Sequence, residues 1–375
     1  IRMKQLAFII ASILVAASSV GCSSTQSQGG FQPAVRTGTA VLSMAHPVQM
    51  PIRPDRLASS MAVGALEAAR GAAPDRRPSY MAPDAKKKSR LMYVGDWATN
   101  DVFVYEYPSG DSVGTLSGFD APYGMCVDKK GDVYIANFYS GNVVEYAHGG
   151  TNPLNTYTSV GEPIGCSVDR KGDLAVTSFN PGEAIVFAGG DPSRGTTYSG
   201  PCEFLWTMGY DDKGNLVGIG EEAGSTIAAC ALLAGSSSMI TLSGCCNGPI
   251  EIDFPGGTMW DGKYLVIGAQ SINSKFESGL IQATLSGTTL TQRGFTKLSD
   301  TCFGSYADVV FPFIVGKKNT PVNRQQGKVA IGVNLWCNDK GSSGVSLWHY
   351  PAGGDPFKTL EHMPAEPYGA AVSLK

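Results

Sequence analysis

The sequence predicts an all-β body of repeated four-stranded antiparallel units, and three observations carry that expectation. First, one unit recurs. Pro122-Tyr123-Gly124 leads through Val127-Asp128-Lys129-Lys130-Gly131-Asp132, and Pro163-Ile164-Gly165 leads through Val168-Asp169-Arg170-Lys171-Gly172-Asp173. The turn returns in Asp211-Asp212-Lys213-Gly214 and Asp261-Gly262-Lys263, so its glycines fall at 131, 172, 214 and 262, spaced by 41, 42 and 48. Second, 47 Gly and 22 Pro accompany 43% hydrophobic and 16% charged residues in a chain of 375, a composition for many short strands and tight turns. A helical bundle or a disordered chain would be written differently. Third, the ends complement each other: residues 367–375 supply the opening strand that residues 90–119 lack. A period of about 40 with four short strands per unit is the pattern of a β-propeller.

Taken in order, the chain opens with Ile1-Arg2-Met3-Lys4 and an apolar run from Leu6 to Ala17. The run reads as a secretory signal starting at Met3, too short for a spanning helix and soon followed by small residues. Ser18-Ser19-Val20-Gly21-Cys22-Ser23-Ser24 resembles the lipobox of bacterial lipoproteins, with Ser19 departing from the usual Leu, Val or Ile. The resemblance implies cleavage before Cys22, lipidation of Cys22 and anchoring in the bacterial envelope, in the periplasm or at the cell surface.

Residues 23–89 read as a flexible linker with seven prolines and one short helix at 55–70. Residues 23–90 hold ten Lys or Arg against four Asp or Glu, whereas 91–375 hold 17 against 28. A basic tether beside a lipid anchor suits anionic head groups. An acidic body argues against a nucleic-acid partner.

The body, 90–375, divides into a blade of 367–375 with 90–119, then 122–161, 163–200, 201–247, 249–299 and 302–365. In each, a first strand ends in the Asp turn, where the carboxylate can bond its own backbone and Gly can take a positive dihedral. A second strand rich in Val, Ile and Tyr follows. A third ends in an aromatic residue before another turn, as at Tyr107-Pro108, Tyr146, Phe187 and Tyr350-Pro351, and a fourth completes the sheet. The count is six, with five or seven left open by the irregular stretch 313–326.

The unit Pro122-Tyr123-Gly124, Val127-Asp128, Gly131-Asp132-Val133-Tyr134-Ile135-Ala136-Asn137 and Val143-Val144-Glu145-Tyr146 resembles the NHL repeat. It also resembles the six-bladed propellers of the gluconolactonase and streptogramin-lyase families. Asn137 stands where NHL repeats usually have Asp. The resemblance implies a fold; propellers host many unrelated functions.

Aligning the blades places Asp96, Asn137, Ser178, Glu221, Gln270 and Asn334 near one rim, with Tyr123, Glu203, Glu251 and Tyr368 at the starts of first strands. Asp96, Asn137, Ser178, Glu221, Gln270, Asn334, Tyr123 and Tyr368 are therefore the candidate ligand-binding residues. Gluconolactonase-like enzymes hold a central metal on carboxylates and Asn, so the rival reading is a metal-dependent lactonase with Ca²⁺ or another divalent cation on Glu203, Glu251, Asn137 and Asn334. The alternative use of all these groups is capping strands and binding channel water. Adjacent Glu221 and Glu222 point to opposite faces of a strand. Streptogramin-type lyases use a central histidine base, and none of His46, His148 (an outer turn), His349 and His362 falls at the expected rim. No phosphate-binding glycine loop precedes a helix. Phe138, Phe179 and Trp97 are the aromatic residues expected at the surface.

Besides Cys22, eight cysteines remain, and export favours disulfides among them. Cys202 with Cys230 and Cys302 with Cys337 each lie in one blade, while Cys126 and Cys166 occupy matching first strands of neighbours. Connectivity stays open, and buried unpaired thiols are the alternative. These readings converge on an exported, lipid-anchored, monomeric propeller that binds an envelope protein, peptide or glycan without a cofactor and without chemistry.

Overall fold

The computed structural model describes residues 77–375 except 225, 245–250, 273–277, 300–312, 316–327, 335–343 and 362–366. Cys22, Cys245, Cys246, Cys302, Cys337, His46, His362 and the helix expected at 55–70 lie outside the described residues.

Six antiparallel sheets form the six blades of a β-propeller. The second and third blades are the simplest, with strands Pro122–Val127, Val133–Asn137, Asn142–Tyr146 and Pro153–Thr158, then Pro163–Val168, Leu174–Ser178, Glu183–Phe187 and Gly195–Ser199. Blade four splits its inner strand into Cys202–Leu205 and Gly209–Tyr210, both paired with Leu216–Glu222, and adds Thr226–Leu232 and Ile240–Leu242. Blade five consists of Ile252–Trp260, Leu265–Ile272, Gly279–Ser286 and Thr289–Lys297; blade six of Phe313–Val315, Lys328–Asn334, Gly344–Tyr350 and Lys358–Glu361. In blade one the final strand, Pro367–Leu374, pairs with Arg90–Asp96 from Arg90 opposite Leu374 to Asp96 opposite Pro367, so the C-terminal strand closes the ring as expected.

The repeated turn works as its residues suggest. Asp128 Oδ1 accepts the backbone N–H groups of Lys130 at 2.8 Å and Asp132 at 2.9 Å, and Asp169 repeats this with Lys171 and Asp173. Gly131 and Gly172 sit at φ 88° and 93°, where a side chain would be strained.

The Pro-x-Gly opening of the inner strands has a second reason. A Cβ on Gly124 would come 2.5 Å from the Ile164 carbonyl oxygen, and one on Gly369 would collide with the Tyr123 carbonyl. Gly165 meets the Thr207 side chain in the same way. From blade one to blade three the inner strands therefore touch backbone to backbone at these points, while Gly165 makes room for the Thr207 side chain of blade four. Cys126 and Cys166 use this proximity, forming a disulfide between adjacent inner strands with a Cα–Cα distance of 5.5 Å, and Cys202–Cys230 forms a second within blade four.

Two expectations change. The segment before residue 90 is not all linker: Tyr80–Met81 adds a fifth strand to blade one against Ser112–Leu116, and Ala85–Lys87 forms a 3-10 turn with Ala85 buried. Low hydropathy hid this, because two backbone-paired residues need no apolar pattern. His148 does lie in the outer turn between the third and fourth strands of blade two, but it is not at the surface. It is 6% exposed, with Nε2 donating to the Lys88 carbonyl at 2.8 Å and Nδ1 meeting the Ser373 hydroxyl at 2.6 Å. Burial pushes it below the ordinary histidine value. It thus ties the N-terminal segment, the closing strand and blade two together.

Buried tyrosines make the ring alkali-sensitive. Burial pushes Tyr93, Tyr105 and Tyr107 of blade one up to about 12, and Tyr93 also accepts the Gly149 N–H of blade two at 2.8 Å. A raised tyrosine value means that the neutral phenol is favoured in the folded state. The associated stability is complete below the ordinary value of about 10 and disappears as pH climbs to about 12. Thermal midpoints should be level to about pH 10 and then fall steeply, while Tyr93→Phe should shift the onset upward; a midpoint independent of pH across this window would contradict the assignment.

Candidate ligand-binding face

The second strands end on the face where the first strands begin. The polar residues expected to form a rim there are present, but the fold puts them to another use. Asn137, 3% exposed, accepts the Asp120 N–H at 2.6 Å through Oδ1 and donates to Asn142 Oδ1 at 3.2 Å. Ser178 Oγ, fully buried, accepts the Glu162 N–H at 3.3 Å. Asp96, also fully buried, accepts the Thr99 N–H at 2.9 Å, and Asn100 holds the Ala121 N–H at 2.8 Å. Asn137, Asn100 and Ser178 cap the crossovers from one blade to the next and Asp96 caps the turn between the second and third strands of blade one, satisfying backbone donors that the sheets leave over. Glu221 is buried and Glu222 accepts the Thr241 hydroxyl, so the adjacent pair does split between environments. The side chains of Gln270 and Asn334 are outside the described residues.

The metal-binding set fits poorly. Glu203 and Glu251 are exposed, Asn137 is engaged with backbone and Asn142, and among the described residues no three His, Cys, Asp or Glu side chains are gathered as a cation site.

Aromatic rings are what the face does assemble. Trp97, after the second strand of blade one, is the hub. Ring centroids lie 5.6 Å away for Tyr123, 5.9 Å for Phe138, 5.2 Å for Tyr139 and 5.3 Å for Tyr368. Tyr123 and Tyr368, both candidates from the sequence, stand 5.0 Å apart. The chain of rings continues from Phe138 to Phe179 at 6.5 Å, then to Phe204 at 5.4 Å and Trp206 at 5.5 Å. It spans blades one to four.

Its exposure reverses the expectation. Trp97, Phe138 and Phe179 are only 3%, 2% and 2% exposed, whereas Tyr139, Phe204 and Tyr368 are the partly exposed members. Residues directly following a strand looked like loop surface, but the crossovers fold over them. Tyr139 was among the aromatic residues the sequence offered for a carbohydrate or peptide platform, whereas Phe204 was not selected; its one signal was aromatic identity within an inner strand.

The fold and this face define a class of protein: a six-bladed β-propeller with an aromatic arc on one face. No protein-family model matches the sequence, and no curated protein matches it. Solved structures do resemble the fold. A chain of the nidogen–laminin complex aligns at TM-score 0.52 and 12% identity over 76% of this chain and 98% of that one. A protein of unknown function from Bacteroides caccae aligns at 0.51 and 12% over 76% and 100%. Virginiamycin B lyase from Staphylococcus aureus aligns at 0.47 and 12% over 80% and 95%. At such identities the likeness is one of fold.

The hub and the rim should behave differently on substitution. Trp97→Ala removes a ring packed on four others and should cost about 3–5 kcal/mol of stability. Tyr368→Ala, at a partly exposed position, should cost clearly less, about 1–2 kcal/mol. Denaturant midpoints measure both; equal losses would mean that Tyr368 is core rather than face.

Proposed function

We propose that this protein is a non-catalytic binding propeller exported to a bacterial envelope, held there by a lipidated Cys22 and a basic tether, and that its aromatic face engages a peptide or glycan of an envelope partner. The observation that carries the reading is the arc itself. Rings from blades one, two and four present the partly exposed members Tyr368, Tyr139 and Phe204, and the polar groups beside them are committed to backbone. Tyrosine offers a large rigid contact with a polar tip at low entropic cost, which suits recognition of sugar rings and extended peptides. Two disulfides support an oxidising compartment.

Two experiments test the parts separately. Titrating neutral oligosaccharides and apolar peptides while following tryptophan fluorescence should show saturable binding of one class without turnover. Tyr368→Ala and Tyr139→Ala should each weaken it about tenfold, the effect of losing one aromatic contact. No saturable response, or affinity indifferent to both substitutions, would remove the face from the proposal, and conversion of the ligand would make the protein an enzyme. For the anchor, Cys22→Ser should move the protein from the membrane to the soluble fraction. Unchanged fractionation would rule out lipidation at that cysteine.

A further inference from the structure

Away from the aromatic face, the repeat is broken at one buried position. The first residue of the second strand is Val133 in blade two, Leu174 in blade three, Leu216 in blade four and Leu265 in blade five, all fully buried, while blade one begins its second strand with Arg90, which is exposed. In blade six it is Lys328, only 2% exposed and paired across the sheet with Tyr350. A buried lysine is costly, and four blades show that an aliphatic residue serves the packing.

The lysine is held by blade five. Its Nζ donates to the Asp261 carbonyl and lies 3.5 Å from Asp261 Oδ2, which also accepts the Tyr350 hydroxyl at 2.8 Å. Asp261 Oδ1 is already occupied by the N–H groups of Lys263 and Tyr264 at 2.7 and 2.8 Å. The carboxylate is thus saturated, while Nζ, with three N–H donors, has Asp261 as its sole hydrogen-bonding partner among the described residues.

These groups line a pocket of about 330 Å³ between blades five and six, which also takes in Lys263, Gln282 and Arg293. Arg293 arrives there by a local irregularity. Gln282 pairs with Gly294 and Ala283 with Gln292, so Arg293 is the extra residue of a β-bulge. Bulges re-aim side chains and gather at binding sites. The Arg293 Nε donates to Thr284 Oγ1 at 2.8 Å, and no described residue accepts from its terminal N–H groups. Gly294 keeps the floor clear, since a Cβ there would come 2.7 Å from Gln282 Oε1. Three basic side chains, Lys263, Arg293 and Lys328, line the pocket against one carboxylate, Asp261, which pairs with Lys328, so basic groups are in excess.

We propose that this interblade pocket binds a small molecule through an anionic group, a carboxylate or a phosphate, received by Lys328 and Arg293, with its body against Tyr264 and Tyr350. The site is separate from the aromatic arc and does not depend on it. An ion pair serving only to join two blades would explain Asp261 and Lys328, but not the bulged arginine or the pocket.

Phenyl phosphate and benzoate are matched probes that share a ring and differ in the anion, and benzyl alcohol is their neutral control. In calorimetric titration of the full chain, at least one anion should bind one-to-one with a dissociation constant on the order of 1 mM or lower, and benzyl alcohol should not. Whichever anion binds assigns the group. Arg293→Ala, a surface change, and Lys328→Leu, the residue three other blades carry, should each weaken binding at least about tenfold. Absence of binding by both anions, equal binding of benzyl alcohol, or binding that survives Arg293→Ala in the folded variant would overturn the proposal.

Discussion

The rest of the structure depends on closure of the ring. Blade one is assembled from both ends of the body, with Pro367–Leu374 pairing along the whole of Arg90–Asp96. Without that pairing, the strand that begins the body would present a row of unpaired backbone groups, and its apolar faces would lose their cover. Closure is also guarded from outside the sheet. His148 of blade two bridges the Ser373 hydroxyl of the closing strand and the Lys88 carbonyl of the N-terminal segment. The two ends of the propeller body are therefore joined through a third element, and separating them would expose a buried imidazole and a buried hydroxyl together.

Closure in turn decides where recognition can happen. Inner strands approach their neighbours closely at Gly369, Gly124 and Gly165, which leaves no room for larger residues at those three positions. Near the rim, Asn137 and Ser178 hold the crossovers into blades two and three through backbone N–H groups. Two features stand out for contact with other molecules, an aromatic arc on one face and a cationic pocket in the seam of blades five and six.

What was legible in the sequence follows from the range of the physics involved. Turns are local: Asp128-Lys129-Lys130-Gly131 announces its own geometry, so the period, the blade count and the closing strand could all be read by spacing. Cys126 and Cys166 were placed as neighbours for the same reason. Burial is not local. Whether Trp97 lies on or under the face depends on crossovers contributed by other blades, and whether Asn137 binds a ligand depends on where the Asp120 N–H comes to rest. Residue type suggested a polar rim; only the packed ring shows Asp96, Asn137 and Ser178 accepting from backbone N–H groups. Tyr80–Met81 was missed because a short edge pairing is carried by backbone groups, which every sequence has.

Repetition supplies its own control for separating structure from function. A residue type found at the same position in blade after blade is explained by what every blade needs, and the Asp turns, the inner glycines and the aromatic third-strand ends all belong there. A departure that costs stability and fits no shared need calls for another explanation. Lys328 meets that description against Val133, Leu174, Leu216 and Leu265, and its partner Asp261 is one of the turn aspartates put to an additional use. The shortened turn that follows Asp261 bonds Tyr264 where the other turns bond the residue four positions on. The bulge in blade five brings Arg293 to the same cavity that Lys328 of blade six lines.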